Sequence, residues 1–220
     1  MCDIIKKREK YRGFNMSIRK VLKFGDPFLR EKAKEVHKVS KKIQDLVTDL
    51  LDTMYAENGV GLAAPQIGEN YRVFVVDVST GDQPLNPMVF INPRIIKKSG
   101  ATISNEGCLS FPEAYTEVRR YSDVMVKAMD RKGRSFVLEA HDGSLLARCI
   151  QHENDHLDGI LFVDHALNRF DAEETLKEHN LPDLQVDKML EEPELQAKID
   201  ELLEQVDTEE ETEEQGEDDK

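Results

Sequence analysis

The sequence predicts an α+β fold, in which antiparallel or mixed sheets pack around one late helix and a helical C-terminal extension follows. Strand-like segments between residues 71 and 140 succeed one another without a helix between them, which favours antiparallel pairing. An amphipathic helix precedes them, and charged helical segments follow residue 170. At 220 residues the chain can bury a sizeable core, so one domain with an appendage is expected.

The first third of the chain is predicted to contain one helix. Residues 1–15 are basic and lack a long apolar run, so they are interpreted as a short flexible arm and not as a secretory signal. Residues 16–24 are predicted to be extended, and Pro27 then takes the first position of a turn or short helix. Apolar side chains recur every three or four residues over 43–54, which predicts a helix that ends near Gly59.

Strands dominate the predicted middle of the chain. β-branched and aromatic side chains make residues 71–78 a buried strand. Shorter strands are predicted at 89–91, 94–98, 123–129 and 135–140. Residues 130–133 form the hairpin connection between the last two strands, whereas residues 106–110 are interpreted as part of a loop.

Helices are predicted again toward the C-terminal end. Asp142 is the expected N-cap of a late helix that stops at Gly159. A capping-box pattern at Asp171 then opens a helical extension over residues 171–206. Its second helix starts at Pro193, and packing of that helix on its own domain is favoured over pairing with a second chain.

The formal net charge of −14 is concentrated at the C-terminal end. Residues 191–220 hold fifteen acidic and two basic side chains, so the rest of the chain is nearly neutral. The last part, residues 207–220, is expected to be disordered because its like charges repel one another. An acidic tail disfavours direct binding to nucleic acid or to an anionic membrane, and solvation of the C-terminus is its simpler role.

Cysteine use and hydropathy indicate the compartment. The three cysteines, Cys2, Cys108 and Cys149, are an odd and sparse set without the spacing of a secreted disulfide scaffold. A reducing cytoplasmic environment is therefore the simpler interpretation. No apolar run approaches the roughly 20 residues of a membrane span, so no membrane partner is expected.

The string from His152 to His156 is the strongest chemical signal. The two histidines are four residues apart, so on a helix they face the same side and can share a metal ion. Glu153 can then reach a metal-bound water. A His-Glu-x-x-His string also arises by chance, and paired surface histidines are common, so a third ligand has to be found.

The third ligand is expected from another part of the chain. The metzincin pattern would need a histidine where Phe162 stands, and Cys149 would lie along the helix, where it could not converge on one ion with both histidines. Cys108 is the best candidate, because a thiolate and two imidazoles leave the fourth tetrahedral position for water, as in catalytic sites. A plain buried cysteine is the alternative for this residue.

Three strings occur together in one order: Gly-Val-Gly-Leu-Ala-Ala-Pro-Gln at 59–66, Glu-Gly-Cys-Leu-Ser at 106–110 and Gln-His-Glu-Asn-Asp-His-Leu at 151–157. They resemble the peptide deformylase family over about residues 16–164, which implies a catalytic domain at 16–170. The resemblance implies hydrolytic removal of the formyl group from the N-terminal methionine of newly synthesised polypeptides, near the ribosome and in the cytoplasm. It also implies one divalent ion, usually Fe²⁺, with Zn²⁺ or Ni²⁺ able to replace it.

The resemblance further assigns roles to single residues. The implied metal ligands are Cys108, His152 and His156. Glu153 would be the general acid/base, Gln66 and the backbone N–H of Leu109 would hold the oxyanion, and Gly61 would let the substrate approach closely. These residue types suit the chemistry, since a divalent cation lowers the pKa of bound water to about 7 and the attack on the formyl carbon creates an oxyanion. The same carboxyl group can then pass a proton to the departing amine.

A methionine side chain would need an apolar pocket near these groups. Val60, Leu145 and Cys149 flank the strings and are the expected lining residues. Asp155 and Gln151 are candidates to orient a ligand imidazole or a neighbouring loop, and solvated helix positions are the equal alternative for both.

Two other functions are compatible with part of this pattern. A metallopeptidase could use the same two histidines and Glu153, although Cys108 in place of a third histidine or glutamate disfavours it. A non-catalytic protein stabilised by a metal could recruit a partner through its acidic helical tail. The sequence does not specify the oligomeric state.

Overall fold

The computed structural model describes residues 17–79 and 83–184, followed by five single positions: Pro193, Gln196, Ala197, Ile199 and Asp200. The predicted basic arm at 1–15, Cys2 and the acidic tail at 207–220 lie outside the described residues, as does most of the helix predicted from Pro193. Within the described ranges, no helix has the length and apolar character that crossing a membrane requires.

Two antiparallel sheets form the framework, which confirms the predicted α+β class. The larger sheet contains five strands: β1 (Gly61–Ala63), β2 (Val73–Val76), β3 (Met88–Ser99), β6 (Asp123–Met129) and β7 (Ser135–Ala140), in the order β1-β2-β3-β6-β7. The smaller sheet contains β4 (Thr102–Cys108) and β5 (Phe111–Arg120). Every pairing between these strands is antiparallel.

Three α-helices are described: α1 (Lys41–Ala56), α2 (Leu145–Leu157) and α3 (Arg169–Glu178). Short 3-10 turns lie at Pro27–Arg30, Ala64–Ile67 and Phe162–His165. Pro27 takes the first position of its turn, as predicted. The apolar stripe predicted for α1 is buried, with Val47, Leu50 and Met54 fully removed from solvent.

The larger sheet is covered on both faces, which explains why all four residues of β2 are buried. Phe74 and Val76 face the core that contains Ile150 of α2, whereas Val73 and Val75 face the core that contains Leu50 of α1. This alternation follows the two-residue period of a strand. The late helix is therefore central, as the sequence predicted.

Several predicted strand boundaries were wrong. The two strands predicted at 89–91 and 94–98 are one strand, β3, which passes through Asn92 at a φ of 50° with shifts in its pairing with β6. Residues 106–110 are not simply a loop, because Cys108 ends β4 and only Leu109 and Ser110 connect it to β5. The polar and glycine-containing composition of β4 concealed it.

The alternation in β5 was a missed signal. Ala114, Thr116, Val118 and Arg120 are buried, and the residues between them are exposed or partly exposed. This is the pattern of a strand with one buried face. The charged residues at the intervening positions are compatible with a strand, because they face solvent.

The caps of the later helices also differ from the prediction. Ser144 and not Asp142 caps α2, and the Ser144 Oγ accepts a hydrogen bond from the N–H of Ala147 at 3.4 Å. Asp142 instead has a φ of 58° in the turn before the helix. Helix α3 starts at Arg169 under an Asn168 cap, so Asp171 lies in its first turn.

Gly159 follows the C-terminus of α2, as predicted. Its φ of 73° is the left-handed conformation that glycine adopts without a side-chain penalty. The backbone of Arg30 lies directly beside its Cα, which leaves no room for a Cβ. The turn at Gly159 therefore ends α2 and also lets the segment at Arg30 pack against the C-terminal end of this helix.

Candidate metal centre

Three side chains from two elements converge beside the cavity described below. Cys108 ends β4, and His152 and His156 stand one turn apart on α2. One ligand atom from each lies within 4.8 Å of the other two, and Cys108 Sγ is 3.3 Å from His156 Nε2. The structure thus brings together the three residues that the sequence singled out as metal ligands.

The donor set fits a divalent transition-metal ion. A thiolate and two imidazoles are ligands typical of Zn²⁺, Fe²⁺ and related ions. His152 Nδ1 lies 3.0 Å from Glu106 Oε2, which leaves its Nε2 for the site. His156 is 1% exposed, and burial lowers its pKa well below the usual value, with the neighbouring His152 acting in the same direction. A neutral imidazole is the form that binds metal.

A buried ion network lies behind the two histidines. Arg120 donates to Glu106 through Nε and Nη2, at 3.0 and 2.9 Å, and its Nη1 donates to Asp155. His165 Nε2 lies 3.0 Å from the same Asp155 carboxylate. Because Glu106 also contacts His152, this network holds one candidate ligand in its orientation.

The carboxylates of this network stay ionised. Burial raises the pKa of Glu106, but the Arg120 guanidinium and His152 outweigh it and hold this pKa well below its usual range. Burial also opposes ionisation of Asp155, yet His165 and Arg120 lower its pKa to about 2. Asp155 was an orienting candidate from the sequence, whereas Arg120 was missed. The available signal for Arg120 was its place at an inward-facing position of β5, where buried and exposed residues alternate.

Gln151 orients a neighbouring segment, and its side-chain hydrogen bonds among the described residues go to the backbone of Tyr121 and Ala147. Its side chain accepts a hydrogen bond from the N–H of Tyr121 at 3.0 Å and donates one to the carbonyl of the same residue at 2.8 Å. These two bonds pin α2 to the end of β5. Gln151 was predicted to orient either a ligand imidazole or a neighbouring loop. Its contacts match the second role.

Glu153 lies beside the metal centre and is 4% exposed. Burial raises its pKa to about 7, the neighbouring His152 opposes the shift, and the Glu106 carboxylate reinforces it. Its Oε2 has no hydrogen-bond partner among the described residues. A carboxyl group with one uncommitted oxygen next to the ligands can accept and return a proton.

Gly61 makes the room that Glu153 occupies. A Cβ on this residue would lie 2.7 Å from Cys149 Sγ and 2.9 Å from the carboxyl carbon of Glu153. Gly61 is therefore a close-approach residue for these two side chains. The expected close approach of substrate at Gly61 stays a prediction. The neighbouring backbone is β-strand, so the constraint is steric.

Substitution Gly61→Ala should displace Glu153 without removing a chemical group. We expect activity to fall by about one to two orders of magnitude, because a shift of roughly 1 Å in a reacting group costs about 100-fold. Bound metal, measured by elemental analysis, should remain at the wild-type level. Gly133→Ala, in the connection between β6 and β7, is the matched control: a Cβ there would meet only Val39, at 3.4 Å, and Gly133 does not line the cavity. Its positive φ of 78° makes the substitution a test of strain away from the site. Equal activities of the two variants would contradict the steric role of Gly61.

Gln66 presents its amide N–H₂ to the centre. Its Oε1 accepts a hydrogen bond from the N–H of Ala63 at 2.8 Å, which sets the direction of the amide. Its Nε2 donates to Cys108 Sγ at 3.3 Å and to Ser110 Oγ at 3.2 Å. A buried neutral donor is thereby held against the sulfur ligand.

A cavity of about 460 Å³ opens onto these groups. Its lining includes Cys108, His152, Glu153, Gln66 and Leu109. The three expected pocket residues also line it: Val60, Leu145 and Cys149. Val60 and Leu145 are 42% and 38% exposed, so they lie at its mouth, whereas Cys149 is buried. Lys23 and Arg148 line the cavity as well, and the sequence interpretation had not singled them out.

The chain is similar to known proteins over about two thirds of its length. Residues 18–171 match the family model described as polypeptide deformylase. The chain is 48% identical over 149 residues to peptide deformylase 1 of Clostridium acetobutylicum, covering 68% of this chain and 95% of that protein. It is 49% identical over 150 residues to the peptide deformylase of Pseudoalteromonas translucida, covering 68% and 87%.

Solved structures show the same likeness. A Synechococcus elongatus peptide deformylase in complex with actinonin matches with a TM-score of 0.69 and 39% identity, covering 77% of this chain and 90% of that one. A peptide deformylase from Acinetobacter baumannii with Met-Ala-Ser bound matches with a TM-score of 0.63 and 35% identity, covering 68% and 99%. The similarity therefore extends over nearly the whole length of these relatives.

Proposed function

The chain belongs to the polypeptide deformylase family, whose members remove the formyl group from the N-terminal methionine of new polypeptides, and from this premise we propose how its own residues perform that hydrolysis. The observation that carries the proposal is the convergence of one sulfur and two imidazoles beside a buried carboxyl group, at the edge of a cavity.

We propose that Cys108, His152 and His156 hold one divalent ion. Fe²⁺ is the proposed ion, and the same donors suit Zn²⁺ or Ni²⁺. When bound, the ion would supply Lewis acidity and lower the pKa of a water molecule in its open position. The contact between Glu106 and His152 supports this assignment, because such contacts fix the ring of a ligand histidine.

Glu153 is proposed as the general acid/base. Its buried carboxyl group lines the cavity, and one of its oxygens has no partner among the described residues. It would take a proton from the attacking water and return that proton to the amine of the departing peptide. Gly61 contributes by leaving the space in which this side chain lies.

Gln66 and Leu109 are proposed to stabilise the oxyanion. The Gln66 amide is oriented by Ala63 with its N–H₂ group toward Cys108, and Leu109 lines the same cavity. Neutral donors stabilise the developing charge without titrating themselves, and loss of one such donor typically raises the barrier by about 2.7–4 kcal/mol.

The proposed substrate is the formylated methionine end of a nascent peptide, met near the ribosome in the cytoplasm. Val60, Leu145 and Cys149 would contact the methionine side chain, since they line the cavity next to the reacting groups. The Met-Ala-Ser in the Acinetobacter baumannii relative supports a peptide of this kind. The family match at 18–171 supports a catalytic domain at about 16–170.

Formate release tests the proposal. The full chain would be purified without oxygen, analysed for metal and assayed with formyl-methionyl and unformylated peptides of the same sequence. We expect formate from the formylated peptide alone, loss of activity on chelation, and recovery when Fe²⁺ is restored. Cleavage of internal peptide bonds would favour a metallopeptidase instead, and unchanged activity after complete metal removal would overturn the proposed centre.

A further inference from the structure

An N-terminal strap, defined here as residues 22–24, crosses both segments that carry the proposed oxyanion donors. The backbone N–H of Leu22 donates to the carbonyl of Gln66 at 2.8 Å. The backbone N–H of Phe24 donates to the carbonyl of Ser110, also at 2.8 Å. The strap thus joins the turn that holds Gln66 to the connection between β4 and β5.

The strap is anchored in the aromatic core beside the metal centre. Phe24 is buried and stacks on Phe111, with ring centroids 4.4 Å apart. Phe111 meets the edge of Phe162 at 4.9 Å, and Phe162 lies 6.0 Å from the ring of His152. These ring contacts hold the backbone of the strap at a defined distance from the site.

Lys23, the middle residue of the strap, is exposed and lines the cavity. Its Nζ donates a hydrogen bond to the carbonyl of Leu109 at 2.8 Å. That carbonyl belongs to the same peptide unit as the N–H of Ser110, which donates to Cys108 Sγ at 3.4 Å. Because a peptide unit is planar, the Lys23 ammonium and the Cys108 sulfur hold its two opposite ends.

The two-residue connection between β4 and β5 lacks the usual backbone of tight hairpins. Favoured two-residue hairpin turns need a positive φ at one or both residues. Neither Leu109 nor Ser110 has a positive φ. The strand pairing also shifts at this point, from Gly107 opposite Tyr115 to Cys108 opposite Phe111. Contacts from outside the hairpin are therefore needed to set the orientation of the central peptide.

We propose that Lys23 is a positioning residue for the reaction. It holds the Leu109–Ser110 peptide so that the Ser110 N–H stays on the Cys108 sulfur and the Leu109 N–H stays available to the oxyanion. The charged donor suits this task, since charge-assisted hydrogen bonds are about twice as strong as neutral ones. This inference rests on the proposed function, because Leu109 and Cys108 have their roles there.

The test compares Lys23→Met with Lys20→Met in the full metal-loaded chain. Lys20 is an exposed lysine just before the strap, so both changes remove one positive charge from the same stretch of chain. We expect Lys23→Met to lower kcat by about five- to tenfold with KM within about twofold, because a positioning contact acts on the reacting geometry. Lys20→Met should leave both constants at the wild-type value.

Two further measurements separate positioning from a general structural effect. Amide hydrogen exchange at Ser110, followed by NMR, should be about tenfold faster in Lys23→Met, since opening the contact frees this N–H. Lys23→Arg should restore most of kcat and of the exchange protection, because it keeps a charged donor. Thermal unfolding and metal content should match the wild type in all three variants.

The outcomes also distinguish this inference from the proposed function. Unchanged Ser110 exchange in Lys23→Met, or an equal loss of kcat in Lys20→Met, would overturn the role of Lys23. The exchange measurement does not depend on turnover. A wild-type chain that released no formate would therefore refute the proposed function, while the exchange result would still decide whether Lys23 holds this peptide.

Discussion

Replacement of Glu153 by glutamine should lower deformylation by about 100- to 10,000-fold while metal stays bound, because the change removes only the group proposed to move the proton. Glutamine has nearly the same shape, so the space beside Gly61 remains filled. The measurement is formate release under saturating substrate, with metal content determined on the same samples. Activity near the wild-type level would exclude Glu153 as the proton carrier.

Cys108→Ala is the informative contrast to that variant. Loss of the sulfur removes one of the three proposed ligands, so we expect the variant to lose metal as well as activity. Glu153→Gln is expected to lose activity and keep its metal, whereas Cys108→Ala is expected to lose both. If Cys108→Ala kept one ion per chain with wild-type affinity, the cysteine would not be a ligand.

Substitution Arg120→Met should lower the free energy of unfolding by about 3–5 kcal/mol, because it leaves two buried carboxylates without their cation. Arg120 is 2% exposed and bonds both Glu106 and Asp155. For a domain of this size the expected fall in Tm is roughly 10 °C, measured by calorimetry or circular dichroism. Metal affinity should also fall, since Glu106 orients His152.

Arg94→Met provides the control for the buried network. Arg94 forms an ion pair with Glu35 at 2.6 Å, but the two side chains are 70% and 51% exposed. An exposed pair of this kind contributes little to stability because solvent screens it, so little change in unfolding is expected. A loss of stability as large as that of Arg120→Met would show that burial is not the cause.

Local pattern was sufficient for some elements and not for others. The stripe in α1 and the β-branched run of β2 were predictable, because each follows the period of its structure over many residues. The strand β4 was not predictable, because its residues are mostly polar and do not alternate regularly between apolar and polar side chains. It belongs to a sheet of only two strands. The N-cap of α2 is Ser144, two residues after the predicted Asp142, because Asp142 has a left-handed backbone conformation in the turn before the helix.

The sequence by itself determined the α+β class and singled out the proposed reacting groups. A spacing of four places His152 and His156 on one helical face, and the neighbouring Glu153 follows from the same period. Only the tertiary structure decided that Cys108 reaches His156, that Arg120 lies between Glu106 and Asp155, and that Lys23 reaches Leu109. These contacts join residues 48, 14, 35 and 86 positions apart. Helical and strand periods set distances only within one element, so packing of the elements had to supply the rest.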